Sequence, residues 1–187
     1  MTICPMCKQA QLKLSHHEDQ PPVSECHACG GAWLRANEYA RWLQTQTPGK
    51  YRLERAEDAV QRNPVMESNK AAVCPDCGHF LRKYRVASNI HFHLDRCGNC
   101  NGVWLDRNEW QVLKSVDLQD EINQVFTQPW QKQIEDEISA QKFEKIYQER
   151  FGSEDYQKVR EIRNWLEEHP NRNALIAYLL DKDPYSA

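Results

Sequence analysis

Apolar and polar positions change their spacing along the chain, and this change divides it into two parts. In the first hundred residues the apolar positions form short runs, and they alternate with polar ones most clearly at 90–94. A period of two is typical of strands. Beyond residue 116 apolar positions recur three or four apart, as at Val159, Ile162 and Leu166, which indicates helices. The pattern predicts an α+β chain with its strands first and a helical region last.

Within the first part, each run predicts a specific element. Strands are expected at 11–14 and at 80–86, with a returning strand at 90–94. A helix should follow Trp33-Leu34 and another Trp104-Leu105, their aromatic residues packing on their own hairpin. Asp106 begins an Asp-x-x-Glu pattern suited to capping the second helix. Arg35 stands at the corresponding position before the first helix and should leave that helix start looser.

The polar stretch at 44–70 and the tail complete the predicted elements. A short helix is expected at 51–61, after Pro48-Gly49 breaks the first helix. In the tail, Pro129 suits a helix start and Gly152 suits a stop before a new helix. The apolar run at 174–180 predicts a short buried helix.

The cysteine-bearing segments are two copies of one pattern. Cys-Pro-x-Cys occurs at 4–7 and again 70 residues later, and Cys-x-x-Cys-x-Gly-x-Trp-Leu occurs at 26–34 and again 71 residues later. Chance similarity does not keep Cys, Gly, Trp and Leu in step, so this is a duplicated module. We therefore expect four segments. They are a first ribbon with its helix (1–45), a partly helical linker (46–70), a second ribbon with its helix (71–116) and an acidic helical region (117–187).

Composition and charge restrict the compartment and the partners. All eight cysteines lie in the first hundred residues, Cys4 leaves no room for a signal peptide before it, and no apolar run reaches the ~20 residues of a membrane span. We therefore expect a cytoplasmic protein with reduced thiols and no membrane contact. The net charge is −3, and residues 116–187 hold nine Lys/Arg against fifteen Asp/Glu. This balance disfavours non-specific nucleic-acid binding.

Paired cysteines in a reducing compartment indicate metal ligands. Two Cys-x-x-Cys knuckles per module supply four thiolates, a set that suits a tetrahedral zinc ion or a mononuclear iron. The expected ligands fall into two sets: Cys4, Cys7, Cys26 and Cys29 for the first zinc, and Cys74, Cys77, Cys97 and Cys100 for the second. A site filled by four protein ligands leaves no position for substrate, so both zinc ions are predicted to be structural.

Residues 4–42 and 74–113 resemble the bacterial TFIIB-type zinc-ribbon family, whose pattern is CPxC, a hairpin, then CxxCGGxWLD and a Glu. Besides the cysteines, the matching positions are Gly31, Trp33, Glu38, Gly102, Trp104, Asp106 and Glu109. The resemblance implies a β-hairpin ribbon in each copy, with the eight cysteines as zinc ligands. Its family name implies transcription, although a fold alone does not determine a function.

The function expected from the sequence is non-catalytic. We expect a zinc-binding adaptor or regulatory protein whose ribbons contact protein, with self-association through the helical region as a further option and no small-molecule substrate. The alternative is nucleic-acid binding through a basic and aromatic face on the second hairpin, formed by Arg82, Lys83, Tyr84, Arg85 and Phe92. A thiol redox sensor is the weaker third hypothesis, because four Cys-x-x-Cys pairs in a repeat fit metal binding better than a dithiol active site.

Overall fold

The computed structural model describes residues 2–47, 50–68 and 70–181. The chain forms two compact units, Met1–Glu137 and Ile138–Ala187. Both cysteine repeats lie in the first unit, which also includes residues 117–137. The predicted break at Pro48-Gly49 lies outside the described residues.

The first unit is built on a six-stranded antiparallel sheet with helices, which confirms the predicted α+β class. Its order is β1-β2-β3-β6-β5-β4. The strands are β1 (Lys13–Ser15), β2 (Val23–Glu25), β3 (Ala32–Leu34), β4 (Leu81–Arg85), β5 (His93–Cys97) and β6 (Val103–Leu105). The returning strand of the second hairpin therefore begins at His93 and not at residue 90 as predicted.

One strand pair joins the two copies of the repeat. The third strands, β3 and β6, pair antiparallel with Trp33 opposite Trp104. Because this pairing is continuous with both hairpins, the two ribbons form one sheet. Across the same junction Trp42 contacts Trp110, with ring centroids 5.5 Å apart. The prediction that each module's rings pack only on their own ribbon is therefore wrong for this pair.

The linker and the segment after the second ribbon both pack into the core of this unit. A 3-10 turn at Leu53–Arg55 leads into α2 (Ala56–Arg62), close to the predicted 51–61. Ala56 and Ala59 of α2 are fully buried. The other helices here are α1 (Ala36–Leu43), α3 (Glu109–Ser115) and α4 (Ile122–Val125). The Tyr39 hydroxyl ties α1 to the α4 segment, because it donates to the Gln119 carbonyl at 2.9 Å.

The remaining helices carry the chain through the second unit. They are α5 (Gln128–Phe151), which begins in the first unit, α6 (Ser153–Glu167) and α7 (Arg172–Leu180). Gly152 has a φ of 81°, which ends α5 as its sequence position predicted. The prediction that 174–180 is buried is wrong, since Tyr178, Leu179 and Leu180 are exposed. Among the described residues, every helix is too short or too polar to cross a bilayer.

Candidate metal centres

The structure brings the eight cysteines together as two clusters of four. In the first, Cys4 Sγ lies 3.7 Å from Cys29 Sγ, and Cys7 Sγ lies 3.5 Å from Cys26 Sγ. The corresponding pairs in the second cluster, Cys74–Cys100 and Cys77–Cys97, are 3.5 and 3.4 Å apart. Four sulfurs around a zinc ion with Zn–S bonds of ~2.3 Å lie ~3.8 Å apart. Each cluster can therefore hold a zinc ion.

The backbone has the same conformation at all four knuckles, and this conformation favours particular residue types after the second cysteine. That residue has positive φ in all four knuckles, namely Lys8, Gly30, Gly78 and Asn101. Its N–H donates to the carbonyl of the first cysteine at 2.8–3.1 Å, for example from Gly30 to Cys26. Glycine takes this conformation freely and asparagine tolerates it, whereas Lys8 adopts it without either advantage. Lys8, which stands where the other three knuckles have glycine or asparagine, thus leaves the knuckle geometry intact.

Within each cluster the cysteine thiols differ in how readily they ionise. The backbone N–H of Gln9 lowers the pKa of Cys7 to about 7. The backbone N–H of His79 likewise lowers the pKa of Cys77 to about 6. Burial raises the pKa of Cys4 and of Cys74. Cys7 and Cys77 therefore ionise near neutral pH without metal, and binding a metal displaces thiol protons.

The two ribbons are held together by reciprocal packing, in which a glycine of each ribbon lies against a tryptophan of the other. A Cβ atom added to Gly31 would lie less than 3.0 Å from the Trp104 ring, and one added to Gly102 would lie less than 3.0 Å from the Trp33 ring. Both tryptophans have 0% exposure. Neither glycine has positive φ, so each is required for the close approach of the other ribbon's ring. In the sequence, the signal for this contact is the glycine two positions after the last cysteine of each copy.

The indole groups of these two tryptophans find different acceptors. Trp104 donates to Asp106 of its own ribbon at 2.8 Å. In the first ribbon Arg35 occupies the matching position, and Trp33 donates to Asp76 of the second ribbon at 2.8 Å. Arg35 also binds Asp76 through two nitrogens, each at 2.9 Å. Arg35 therefore leaves α1 without a side-chain cap, as predicted, and gains a link between the ribbons.

Asp76 was missed by the sequence reasoning, although Arg35 in place of the repeated aspartate was a signal that another carboxylate was needed. Its partial burial alone raises the pKa of Asp76. The hydrogen bonds from Arg35 and Trp33 outweigh burial and hold that pKa below its usual value. The carboxylate therefore stays ionised at neutral pH and holds the tip of one knuckle against the other ribbon.

Asp106 does not cap α3 as predicted. Its carboxylate instead accepts from the Trp104 indole and from the Ser68 backbone N–H, the latter at 2.6 Å. The other hydrogen bond of the Asp-x-x-Glu capping pattern is present, because the Asp106 N–H donates to Glu109 Oε2 at 2.9 Å. Glu109 is 1% exposed and its Oε1 has no partner among the described residues. Burial and the nearby Asp106 carboxylate raise the pKa of Glu109 well above its usual value.

Replacing Glu109 by glutamine is expected to flatten the pH dependence of stability. In the wild type, the unfolded state ionises Glu109 above a pH of about 4.5 while the folded state keeps it neutral. The folded state then holds the extra proton, so the free energy of unfolding decreases as pH rises towards the folded pKa. Between about pH 6 and pH 8 the E109Q protein should gain on the order of 1 kcal/mol relative to wild type.

Urea unfolding of the zinc-loaded protein at both pH values measures this difference. The matched control is E38Q, since Glu38 holds the equivalent position in the first copy and is only half-buried beside Arg41. Any general effect of pH on zinc binding affects both variants alike. An E109Q protein whose pH slope equals that of E38Q contradicts a neutral, buried Glu109.

The five residues proposed for a basic and aromatic face do not form one. Phe92 is 3% exposed and belongs to the core, which corrects its assignment to a surface. Lys83 is paired with Asp95 at 3.1 Å and Glu67 at 3.4 Å. Tyr84 packs edge-on against Phe126, and Arg85 lies against His91. Arg82 remains exposed on β4. Alternate side chains of a strand point to opposite faces, so Arg82 and Tyr84 lie on one face of β4 and Lys83 and Arg85 lie on the other.

Comparison with known proteins agrees with this geometry. Residues 3–45 and 73–116 each match the transcription factor zinc-finger family, a zinc ribbon of the TFIIB type. No curated protein and no solved structure gives a significant match to the chain. The matched segments contain all eight cysteines, both tryptophans of the β3–β6 pair and both close-approach glycines. These two segments are therefore tandem matches to the TFIIB-type zinc ribbon, joined through their third strands.

Proposed function

We propose that the protein is a non-catalytic zinc-binding adaptor, which contacts a protein partner chiefly through its second unit. The observation that carries this proposal is the amount of apolar side chain left exposed on α5, α6 and α7. Phe143 is 59% exposed, Trp165 55% and Leu180 83%. Large apolar side chains exposed in such number mark protein contact sites in soluble proteins.

The exposed side chains on these helices follow helical spacing. On α5 they lie at Phe143, Ile146, Tyr147 and Phe151, which share one face because residues three and four apart are neighbours. Ile162 and Val159 continue the pattern on α6, whereas Leu166 is buried. A face with this spacing suits a groove or a helix of another protein.

A structural role for the two metal centres supports the absence of catalysis. Four cysteine ligands fill the coordination of a zinc ion and leave no position for water or substrate. The sheet then acts as a rigid base, because its strands are too short to hold together without metal. We place the protein in a reducing compartment, since the sites need thiolates.

Nucleic-acid binding is the alternative function, and the residues of the second hairpin do not support it. Phosphate binding depends on unpaired Lys and Arg. Lys83 is paired with carboxylates, and Phe92 offers no ring for a base. The transcription-related family name remains compatible with a partner that is a protein.

Affinity capture from the native cell tests the proposal. The zinc-loaded full chain is compared with a helical-face variant, Phe143→Gln with Trp165→Gln, and with a ribbon control, Leu14→Gln, whose residue is 63% exposed on β1. We expect partners that survive nuclease and high salt to be lost from the helical-face variant and retained by the control. Sedimentation of the purified protein shows whether the partner is a second copy of the chain.

Two results contradict the proposal. Loss of all partners on nuclease treatment, with DNA or RNA binding that weakens as salt rises, supports nucleic-acid binding. Equal recovery of partners by the helical-face variant and by wild type shows that this face is not the contact surface.

A further inference from the structure

The first unit has a cavity that none of the roles described above uses. It measures about 360 Å³ and lies between the residues before α2, the loop at 87–89 and the start of α5. The residues that define its character are Tyr51, Glu54, Ser88, Trp130 and Glu137. Ligand cavities in proteins measure roughly 300–1,000 Å³, so this one accepts a small group or a single side chain.

The charge in this cavity is negative and uncompensated. Glu54 and Glu137 line it, and no Lys, Arg or His of the described part of the chain does. Both carboxylate oxygens of Glu137 accept from neutral donors, with Ser88 Oγ at 2.6 Å and Gln133 Nε2 at 2.9 Å. Among the described residues Glu54 has no ion-pair partner within 4.0 Å. Two carboxylates that face one cavity without a cation favour a positively charged occupant.

Two aromatic rings form another wall of the same cavity. The centroids of Tyr51 and Trp130 lie 5.3 Å apart with their planes at 64°, so the rings present two surfaces at an angle. The Trp130 indole donates to the Val86 carbonyl at 3.1 Å, which fixes that ring in place. The faces of Trp and Tyr attract organic cations, and the attraction increases when water is excluded.

A metal ion does not fit this arrangement. In the described part of the chain, the groups of three or more His, Cys, Asp and Glu side chains close enough to share a metal are the two cysteine clusters. Aromatic walls add nothing to the binding of a hard metal ion, whereas they contribute to the binding of an alkylated nitrogen. The combination of rings and carboxylates is therefore specific for an organic cation.

We propose that this cavity binds an alkylammonium or alkylguanidinium group, presented by a lysine or arginine side chain of the protein partner. The assignment of the cation to a protein rests on the proposed function, whereas the cavity's preference for an organic cation does not. The alkyl stem lies against Ile134 and the two rings, and the charged head lies between Glu54 and Glu137.

Titration of the zinc-loaded full chain by NMR tests the cavity directly. The probes are n-butylammonium and n-butylguanidinium, with n-butanol and butyrate as neutral and anionic counterparts of similar size. We expect saturable shifts of the Trp130 indole N–H signal, assigned with Trp130→Phe, for the two cations alone. The E54Q/E137Q double variant should weaken the cations about tenfold, which corresponds to ~1.4 kcal/mol. The matched control E57Q, on the exposed face of α2, should leave the affinity unchanged.

Three results overturn the cation preference: no saturable shift in the wild type, equal shifts with n-butanol, or equal affinity in the double variant and the control. The source of the cation is tested separately by affinity capture with E54Q/E137Q. A captured partner that is unaffected by this variant, with butylammonium binding as expected, shows that the cation is not the partner's. Failure to capture any protein contradicts the proposed function and leaves the titration result standing.

Discussion

Replacing Cys97 by serine is expected to remove the second zinc ion and to unfold most of the first unit. Cys97 is 0% exposed and ends β5, which lies between β4 and β6 as the central strand of the second ribbon. Zinc ligands must be deprotonated, and a serine hydroxyl is not deprotonated near neutral pH. A structural zinc site contributes roughly 10–16 kcal/mol in small zinc peptides, whereas a whole domain has a net stability of only about 5–15 kcal/mol.

The shared sheet gives this prediction a specific form. Since β3 pairs with β6, loss of the second ribbon also exposes Trp33 and the edge of the first ribbon. The core around β5, β6 and α3, with Leu94, Leu105 and Leu113, is larger than the part contributed by the first ribbon. We therefore expect C97S to be more damaging than the equivalent substitution in the first copy, C26S.

Zinc content by mass spectrometry under native conditions and urea unfolding followed by circular dichroism measure both effects. C26S should keep one zinc ion and a cooperative transition at lower urea. The expectation fails if C97S retains the wild-type transition, or if the metal-free, reduced wild-type protein keeps its strands.

Replacing Gly102 by alanine is expected to destabilise the first unit by about 3 kcal/mol, at the upper end of the cost of overpacking. The single added methyl group meets the Trp33 ring, which is fully buried and tied to Asp76 by its indole. The ring cannot move away without breaking that hydrogen bond or the β3–β6 pairing. Gly31→Ala should have a similar effect through Trp104.

Gly98→Ala is the matched control for this substitution. Gly98 lies in the same knuckle, and a Cβ atom there meets no atom within 4 Å. Its effect should stay within about 0.5 kcal/mol. Urea unfolding of the three alanine variants gives the comparison. If G102A is as stable as G98A, the two ribbons do not approach each other as closely as the structure places them.

Local features of the fold could be predicted from the sequence. The Cys-x-x-Cys knuckles and the stop at Gly152 depend on residues a few positions apart, so short motifs identify them. The four-cysteine sets followed from the repeat itself, because matching knuckles must serve matching sites.

The joining of the two ribbons could not be predicted. It depends on three-residue strands, which are too short for any periodicity, and on partners far apart in the chain. Arg35 and Asp76, for instance, belong to different copies of the repeat.

Helical spacing also does not predict which apolar residues are buried. Leu118, Ile122 and Val125 are spaced three or four residues apart, as are Val159, Ile162 and Leu166, although Leu118 lies before the start of α4. The first set is fully buried, whereas Val159 and Ile162 are about half exposed. An apolar stripe shows that a helix has a face to cover and does not show what covers it.

The central claim is that this chain holds two closed four-thiolate zinc sites within one sheet. X-ray absorption at the zinc edge, on protein loaded with two zinc ions per chain, tests it most directly. We expect four sulfur atoms at ~2.3 Å around each zinc and no nitrogen or oxygen ligand. A sulfur count below four, or an oxygen or nitrogen atom in the coordination sphere, contradicts the claim and opens the sites to chemistry.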